Sequence, residues 1–157
     1  MKPCLLFILL LGLALNSALL QCQQLTIQTE TGKQTVLTRS EIEALPHTNV
    51  TTGASDTFVG VSLKAVVEKA GVSLGESLRG KRLASCLLVE AADGYGVVFA
   101  LPEIDSAFTE KQVVLAFLRN GKPLNEKEGP YRIVVPDEKR MARWIGQVTT
   151  LKIVDAQ

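Results

Sequence analysis

The chain has 157 residues, with 17 Lys and Arg against 16 Asp and Glu, and a formal net charge of +1 at pH 7. This length fits one domain, and the charge balance offers no basic surface for nucleic acid or for an anionic membrane. Nucleic-acid binding is not expected. A zinc site is not expected either, because the sequence has one His and no Cys-x-x-Cys.

The first 22 residues differ in character from the rest. Lys2 is the only charged residue among them, and residues 5–15 are apolar apart from one glycine. A charge, an apolar core and then polar residues form the order of a secretory signal peptide, and the run is too short for a transmembrane helix of about 20 residues. We therefore expect residues 1–22 to be a signal peptide. Residues 23–157 are then an exported domain, periplasmic or secreted, without a membrane span.

The cysteines depend on how this leader is processed. Cleavage after Ala18 and cleavage after Cys22 both fit the sequence. Lipidation of Cys22 is a further alternative, although Gln21 stands where a lipoprotein signal has a small residue. Cys4 leaves with the leader, so Cys86 has no partner once Cys22 is lost. An unpaired thiol of this kind is either buried and inert or used chemically, for example as a ligand for a soft metal.

Local patterns in the first half of the chain predict short elements. Thr38 and Glu41 have capping-box spacing ahead of a short helix. Ser62 precedes an apolar stripe at helical spacing, and Gly71 ends it. The predicted elements are a hairpin (25–38), a helix up to Pro46, a strand fragment or loop (47–57) and a second helix (60–72).

The second half is dominated by strands. Turn dipeptides follow two of the apolar runs, at Asp93-Gly94 and at Asn120-Gly121. The predicted elements are strands at 81–92, 95–101, 113–119, 131–136 and 148–155, a helical turn or irregular connection at 102–108 and a short basic helix at 137–145. Since strands and helices do not alternate regularly, the predicted fold class is α+β with mixed or antiparallel sheets.

Two groups of side chains are candidates for chemistry. Tyr95 follows a tight turn, so its ring faces either the core or a pocket. Four basic residues come late in the chain: Arg132, Lys139, Arg140 and Arg143. Arginine offers paired donors that suit a phosphate, but the same residues also fit a solvated helix face balanced by two acidic neighbours.

Three blocks of sequence narrow these alternatives. They are GVSLKAVVEKAGV (60–72), ADGYGVVFAL (92–101) and LAFLRNGKPLNEKEGPYRIVVP followed by RWIGQVTTLKI (115–136 and 143–153). In order and spacing they resemble the sulfite-oxidase-type molybdopterin-binding domain in a small stand-alone form. The resemblance covers about residues 35–155 and implies that family's fold, the molybdenum cofactor and oxidoreductase chemistry.

The resemblance also implies roles for individual residues. Tyr95 matches a tyrosine that points toward the oxo group of the metal in the substrate pocket, which makes it the catalytic candidate. Arg132 and Arg143 match basic residues that line the pterin and its phosphate, and Lys139 and Arg140 lie in the same cofactor-binding region. Asn120-Gly121 matches a structural hairpin.

Two features depart from the family pattern. The cysteine that ligates molybdenum is expected within residues 47–58, and this segment contains no cysteine. Ser and Thr do not replace a thiolate on a soft metal, which leaves Cys86 as the only weak alternative for a metal ligand. The leader also lacks the paired arginines expected when a protein of this family is exported folded, with its cofactor already bound.

Three functions therefore stay open. The first, which we favour, is an exported module that binds a pterin or another small anion but lacks the molybdenum ligand. The second is an active molybdenum oxidoreductase. The third is a docking component for a redox partner protein.

Overall fold

The structure is a computed structural model, and it describes residues 23–53 and 55–155. The predicted signal peptide and the fate of Cys22 lie outside these residues. Within them, ten strands and two α-helices form, joined by turns of 3-10 helix at Gly75–Ser77, Gly80–Ala84, Leu101–Ile104 and Met141–Arg143. The strands are β1 (Leu25–Gln28), β2 (Gln34–Leu37), β3 (His47–Thr51), β4 (Thr57–Ser62), β5 (Cys86–Ala91), β6 (Gly96–Ala100), β7 (Val114–Arg119), β8 (Lys122–Pro123), β9 (Arg132–Val134) and β10 (Val148–Val154), and the helices are α1 (Arg39–Glu43) and α2 (Leu63–Lys69).

The strands form two sheets. Sheet A has the order β2-β1-β10-β5-β6, and sheet B has the order β3-β4-β7-β8 with β9 also paired to β7. Only β1 and β10 run parallel, and the other described pairs are antiparallel. The predicted α+β class with mixed sheets and few short helices is confirmed.

Alternating burial shows which face of sheet A meets the core. On β5, Leu87 and Val89 are fully buried while their neighbours are half-buried, and on β6 Phe99 is fully buried between exposed residues. This period of two is what a sheet with one covered and one open face produces. Sheet A therefore packs one face on the core and leaves the other face open.

A buried ion pair ties α2 to the connection after β6. Asp105 has no exposed side-chain surface, and its Oδ1 accepts a hydrogen bond from Lys64 Nζ at 2.6 Å. The backbone N–H groups of Gly75 and Ala107 also donate to this carboxylate. Burial alone would raise the pKa of Asp105, but these donors outweigh it and hold the pKa below its ordinary value.

Several predicted elements are confirmed with changed bounds. The capping box at Thr38 forms, because its side chain accepts from Glu41 N and its own N–H donates to the Glu41 carboxylate. The hairpin at residues 25–38 forms through β1 and β2. Segment 47–57 provides all of β3 and the start of β4, because its β-branched residues pair across the hairpin.

Three predictions of element type or extent are wrong in part. The helix predicted for 60–72 begins only at Leu63, because the preceding residues pair with β7, and Ser62 makes no side-chain cap. The strand predicted for 81–92 begins at Cys86, after a turn of 3-10 helix. The basic helix predicted for 137–145 is reduced to the turn Met141–Arg143, since its arginine and tryptophan bond to groups elsewhere in the fold.

No helix in residues 23–53 or 55–155 has both the length and the apolar character needed to cross a membrane.

Candidate functional site

The candidate site is organised around Trp144, which lies between β9 and β10. Its side chain is almost completely buried, and its Nε1 donates to the carbonyl of Val135 at 3.1 Å. The ring meets Phe58 edge to face at 6.1 Å between centroids. The guanidinium of Arg132 lies 6.0 Å from the centroid of the Trp144 ring. A buried aromatic anchor therefore fixes the segment that carries the predicted basic residues.

Arg132 is held by a carboxylate of the same chain. Its Nη1 forms an ion pair with Glu128 Oε1. The same oxygen accepts from Arg119 Nη1 at 3.1 Å, and the other oxygen accepts from Asn125 Nδ2 at 2.9 Å. Arg132 Nε is buried, and it has no hydrogen-bond partner within residues 23–53 and 55–155. Glu128 thus neutralises charge on both Arg132 and Arg119, while the Nε of Arg132 stays without an acceptor in the described residues.

Arg119 extends this network to the loop between β3 and β4. Its Nη2 donates to Asp56 Oδ2 at 2.5 Å, and Asn120 Nδ2 donates to Asp56 Oδ1 at 2.8 Å. Hydrogen bonds from Arg119 and then from Asn120 hold the pKa of Asp56 below its ordinary value. Asn120 has a φ of 52° and also accepts from Thr57 N. The Arg119–Asp56 ion pair therefore ties the loop between β3 and β4, which lies in segment 47–58, to the end of β7.

A second arginine site lies at the edge of sheet A. Arg143 forms ion pairs with Glu103 Oε1 at 2.7 Å and with Glu138. Its Nη1 also donates to the Val98 carbonyl at 3.2 Å, and its guanidinium lies 4.5 Å from the centroid of the Phe99 ring. Hydrogen bonding to Arg143 holds the pKa of Glu103 below its ordinary value, and the same contact raises the pKa of Arg143.

Tyr95 lies next to this second site but is more than half exposed. Its hydroxyl donates to the carbonyl of Ala142 at 3.1 Å, and its N–H donates to Asp93 Oδ1 at 2.9 Å. The structure thus brings Tyr95 close to the segment of Arg143. Lys139 is exposed on that segment.

The remaining predicted residues are dispersed. Arg140 is exposed like Lys139, and within the described residues neither makes a hydrogen bond or ion pair to Tyr95 or Arg132. Cys86 is half-buried on the open face of sheet A, so its thiol is not sealed in the core. The backbone carbonyl of Tyr95 accepts a hydrogen bond from the N–H of Ala91, the last residue of β5, whereas Cys86 is the first. At the usual rise per residue of a strand, Tyr95 therefore lies about 17 Å along β5 from Cys86.

Sequence reasoning missed the acidic half of the site. Glu128 and Glu103 neutralise the arginines of the two sites. Glu128 lies in a turn between Arg119 and Arg132, and Glu103 lies in the 3-10 turn after β6, distant in sequence from Arg143. The Gly-Pro after Glu128 was a usable signal, since it predicts a turn that brings the carboxylate back toward the strand. A Gly-x-Ser-x-Gly spacing at 71–75 follows α2 and not a strand, so Ser73 does not form a nucleophile elbow.

Comparison with known proteins identifies the family of this chain. The chain matches the oxidoreductase molybdopterin binding domain over residues 19–157. The chain belongs to this family. The resemblance to the sulfite-oxidase-type domain is thereby confirmed. No curated protein matches the chain.

Among solved structures, the family fold is seen in the sulfane dehydrogenase SoxCD from Paracoccus pantotrophus. That structure matches with a TM-score of 0.66 and 24% sequence identity, over 86% of this chain and 39% of that chain. This chain therefore spans well under half the length of the dehydrogenase chain, and the likeness concerns the fold alone.

The side chains present do not fit a molybdenum ion bound through a protein thiolate. Segment 47–58 has no cysteine, and Cys86 lies on the open face of sheet A. In the described residues no group of three or more His, Cys, Asp and Glu side chains is arranged to hold a metal. The arginines expected to meet the pterin and its phosphate are paired with carboxylates instead.

Proposed function

We propose that the chain is an exported member of the molybdopterin-binding family that works as a binding module and not as a redox enzyme. The observation that carries the proposal is the combination of a missing thiolate in segment 47–58 with internal carboxylates on Arg132 and Arg143. A soft metal would lack its protein ligand, and an anionic cofactor would have to displace glutamates that already neutralise its sites. The predicted signal peptide motivates the exported location.

The proposed ligand is a small anion, with a free pterin phosphate as one member of this class. A cleft of about 380 Å³ opens beside the Arg119–Glu128 pair. Its lining combines two cationic side chains, four amide or apolar side chains and one carboxylate; the charged ones are Arg119, Lys122 and Glu128. The Nη1 of Arg132 is paired with the same carboxylate, so this guanidinium would need a new acceptor if an anion displaced Glu128.

The molybdenum content of the purified protein tests the first half of the proposal. The full chain should be expressed with its own leader in a host that makes the cofactor, and then purified from the export compartment. We expect a metal-to-protein ratio near zero in well-folded protein. A ratio near one would refute the proposal and would make Tyr95 a catalytic candidate in an active oxidoreductase.

Titration with inorganic phosphate tests the second half. Glu128→Gln removes the internal competitor, so we expect this variant to bind phosphate at least about tenfold more tightly than the wild type. The matched control is Glu126→Gln, since Glu126 is exposed in the same loop. Equal phosphate affinity in both variants would show that Glu128 does not guard an anion site.

The two other functions need further features. An active oxidoreductase would need molybdenum held by the pterin sulfurs alone or by Cys86, which is distant from Tyr95. A docking component needs an exposed apolar surface. Exposed Val98 and Val154 on sheet A favour this last function as a second candidate.

A further inference from the structure

Strand β3 is an outer strand of sheet B, and the hydrogen-bond pattern shows which of its residues face the free edge. The N–H of Thr52 donates to the carbonyl of Asp56 at 2.9 Å, which makes these residues a bonded pair of the β3–β4 hairpin. Bonded and non-bonded pairs alternate along an antiparallel ladder. By the register, Val50 and Thr48 are therefore the next residues of β3 that bond to β4.

The three other residues of β3 direct their backbone N–H and C=O groups away from β4. They are His47, Asn49 and Thr51, and all three are exposed. In residues 23–53 and 55–155, none of them makes a backbone hydrogen bond outside the β3–β4 ladder. Donors and acceptors at alternate residues of an outer strand form a template for one further strand.

β3 also lacks the features that ordinarily protect an outer strand. Such strands are protected by short length, by charged residues, by proline, by a bulge or by a covering group. β3 has the sequence HTNVT and pairs with β4 without a shift in register. By contrast, β8 has two residues, one of them Pro123, and on β6 the carbonyl of Val98 is bonded to Arg143. β2 is one residue shorter than β3, so β3 offers the longest unprotected edge.

A polar cleft of about 240 Å³ adjoins this edge. Thr48 is one of its lining residues, so a residue opposite Thr48 on an added strand would lie at the mouth of the cleft. Lys64 and Lys111 line the cleft, against one carboxylate, that of Glu110. The cleft therefore suits an acceptor side chain that carries a negative charge.

Both ammonium groups have hydrogen-bonding capacity left for a ligand. An ammonium has three donors. Lys64 Nζ uses two of them, on Asp105 at 2.6 Å and on Ser106 at 3.3 Å. Lys111 Nζ lies 3.8 Å from Glu103 Oε1, which is too long for a hydrogen bond. In the part of the chain that the structure describes, one donor of Lys64 and those of Lys111 thus have no acceptor.

We propose that β3 binds an extended, acidic peptide segment of a partner protein by strand addition. The backbone of the segment pairs with the three outward residues of β3, and one of its carboxylate side chains enters the cleft between Lys64 and Lys111. The backbone groups determine the extended conformation of the segment, and the open ammonium donors determine its charge. The cleft shares no lining residue with the proposed anion site beside Arg119, so either proposal can fail without the other.

Two capped heptapeptides test the charge preference. Their sequences are Thr-Val-Thr-Asp-Thr-Val-Thr and Thr-Val-Thr-Asn-Thr-Val-Thr, so they differ only in a carboxylate that becomes an amide. In both peptides the central residue shares a face with the two valines and can lie opposite Thr48. Fluorescence anisotropy of the labelled peptides is measured with protein exported from the full chain. We expect the Asp peptide to bind at least about tenfold more tightly, because only its carboxylate forms charge-assisted hydrogen bonds with the lysines.

Lys111→Gln tests whether this preference comes from the cleft. The variant should bind the Asp peptide less tightly than the wild type does, and it should bind the Asn peptide as the wild type does. Lys111 is half exposed, so its replacement leaves the buried Lys64–Asp105 pair intact.

Two substitutions of Asn49 test strand addition. Asn49→Pro removes the outward N–H without removing a bond to β4, and Asn49→Ala is the matched control that keeps this N–H. We expect Asn49→Pro to weaken binding of the Asp peptide at least about tenfold and Asn49→Ala to change it less than about twofold. Circular dichroism shows whether both variants fold. Independently of them, the bound peptide should slow hydrogen exchange at the amides of Asn49 and Thr51 in the wild type.

Four results would overturn the proposal. They are failure of both peptides to bind at millimolar concentration, equal affinity for the two peptides, equal binding by two folded Asn49 variants, and unchanged hydrogen exchange on β3. A wild-type dimer that Asn49→Pro dissociates would also overturn it, because a second copy would then occupy the edge of β3.

Discussion

Gly60 is the position where the fold tolerates a side chain least. It lies in β4 at an irregularity in the register with β7. A Cβ built there would lie 2.6 Å from Ala116 Cα and 2.7 Å from Leu115 C, and it would be closer still to Leu115 O. These are backbone atoms of β7, which is bonded to β4 on one side and to β9 on the other. The backbone therefore has no free direction in which to relax.

The cost of Gly60→Ala follows from this geometry. Overpacking in a well-packed core costs about 1–3 kcal/mol, and fixed backbone neighbours place this site at the upper end. Alanine lowers the entropy of the unfolded chain, which offsets about 0.4–1 kcal/mol. We expect a net loss of about 2–2.6 kcal/mol, a large share of the roughly 5–15 kcal/mol that stabilises a domain.

Gly96→Ala is the control for this substitution. A Cβ at Gly96 would lie 3.4 Å from Leu88 Cδ1 and 3.8 Å from Val89 O, which is ordinary contact. Both glycines lie in strands, so the two variants share the change in backbone entropy. We expect Gly96→Ala to stay within about 0.5 kcal/mol of the wild type.

Urea unfolding of both variants measures the difference. Trp144 is the only tryptophan and is 7% exposed, so its fluorescence reports the loss of the core. A midpoint for Gly60→Ala equal to the wild type, with an unchanged denaturant slope, would refute the close approach of β4 to β7. An equal loss in both variants would show that strand entropy and not the backbone clash decides the effect.

Three further predictions concern turns and ion pairs. Gly94 has a φ of 85°, so Gly94→Val should destabilise the β5–β6 hairpin by about 1–3 kcal/mol through backbone strain, measured as a lower Tm. The Arg143 guanidinium lowers the pKa of Glu103, so this ion pair stabilises the fold at any pH above the ordinary carboxyl pKa of about 4.5. The stabilisation is lost as the pH falls through the lowered pKa of Glu103. In Arg143→Met this loss cannot occur, so the urea midpoint should fall less steeply with decreasing pH below about 4.5 than it does in the wild type. Lys64→Met leaves the buried carboxylate of Asp105 without its cation and should cost about 2–4 kcal/mol at pH 7, with the loss shrinking on acidification.

The sequence predicted correctly the elements that depend on contacts between residues close together in the chain. The capping box at Thr38, the hairpin over residues 25–38 and the turn at Gly94 form as predicted, because each depends on residues that are close together in the chain. The basic helix at 137–145 does not form, because Arg143 and Trp144 gain more from partners on other elements than from a helix. Tertiary contacts override weak helix propensity over so short a segment.

Residue identity and order alone indicate the family, the strand-rich class and the absence of a cysteine from segment 47–58. The fold was needed to show that Glu103 neutralises Arg143, that Glu128 joins Arg119 to Arg132, and that Cys86 faces out from sheet A. The Arg143–Glu103 pair and the faces of a sheet join residues that are distant in sequence, and the four-residue spacing of Glu128 and Arg132 does not by itself show that their side chains pair. A pattern shows that a charge is present, but the fold decides whether that charge meets a ligand or another side chain.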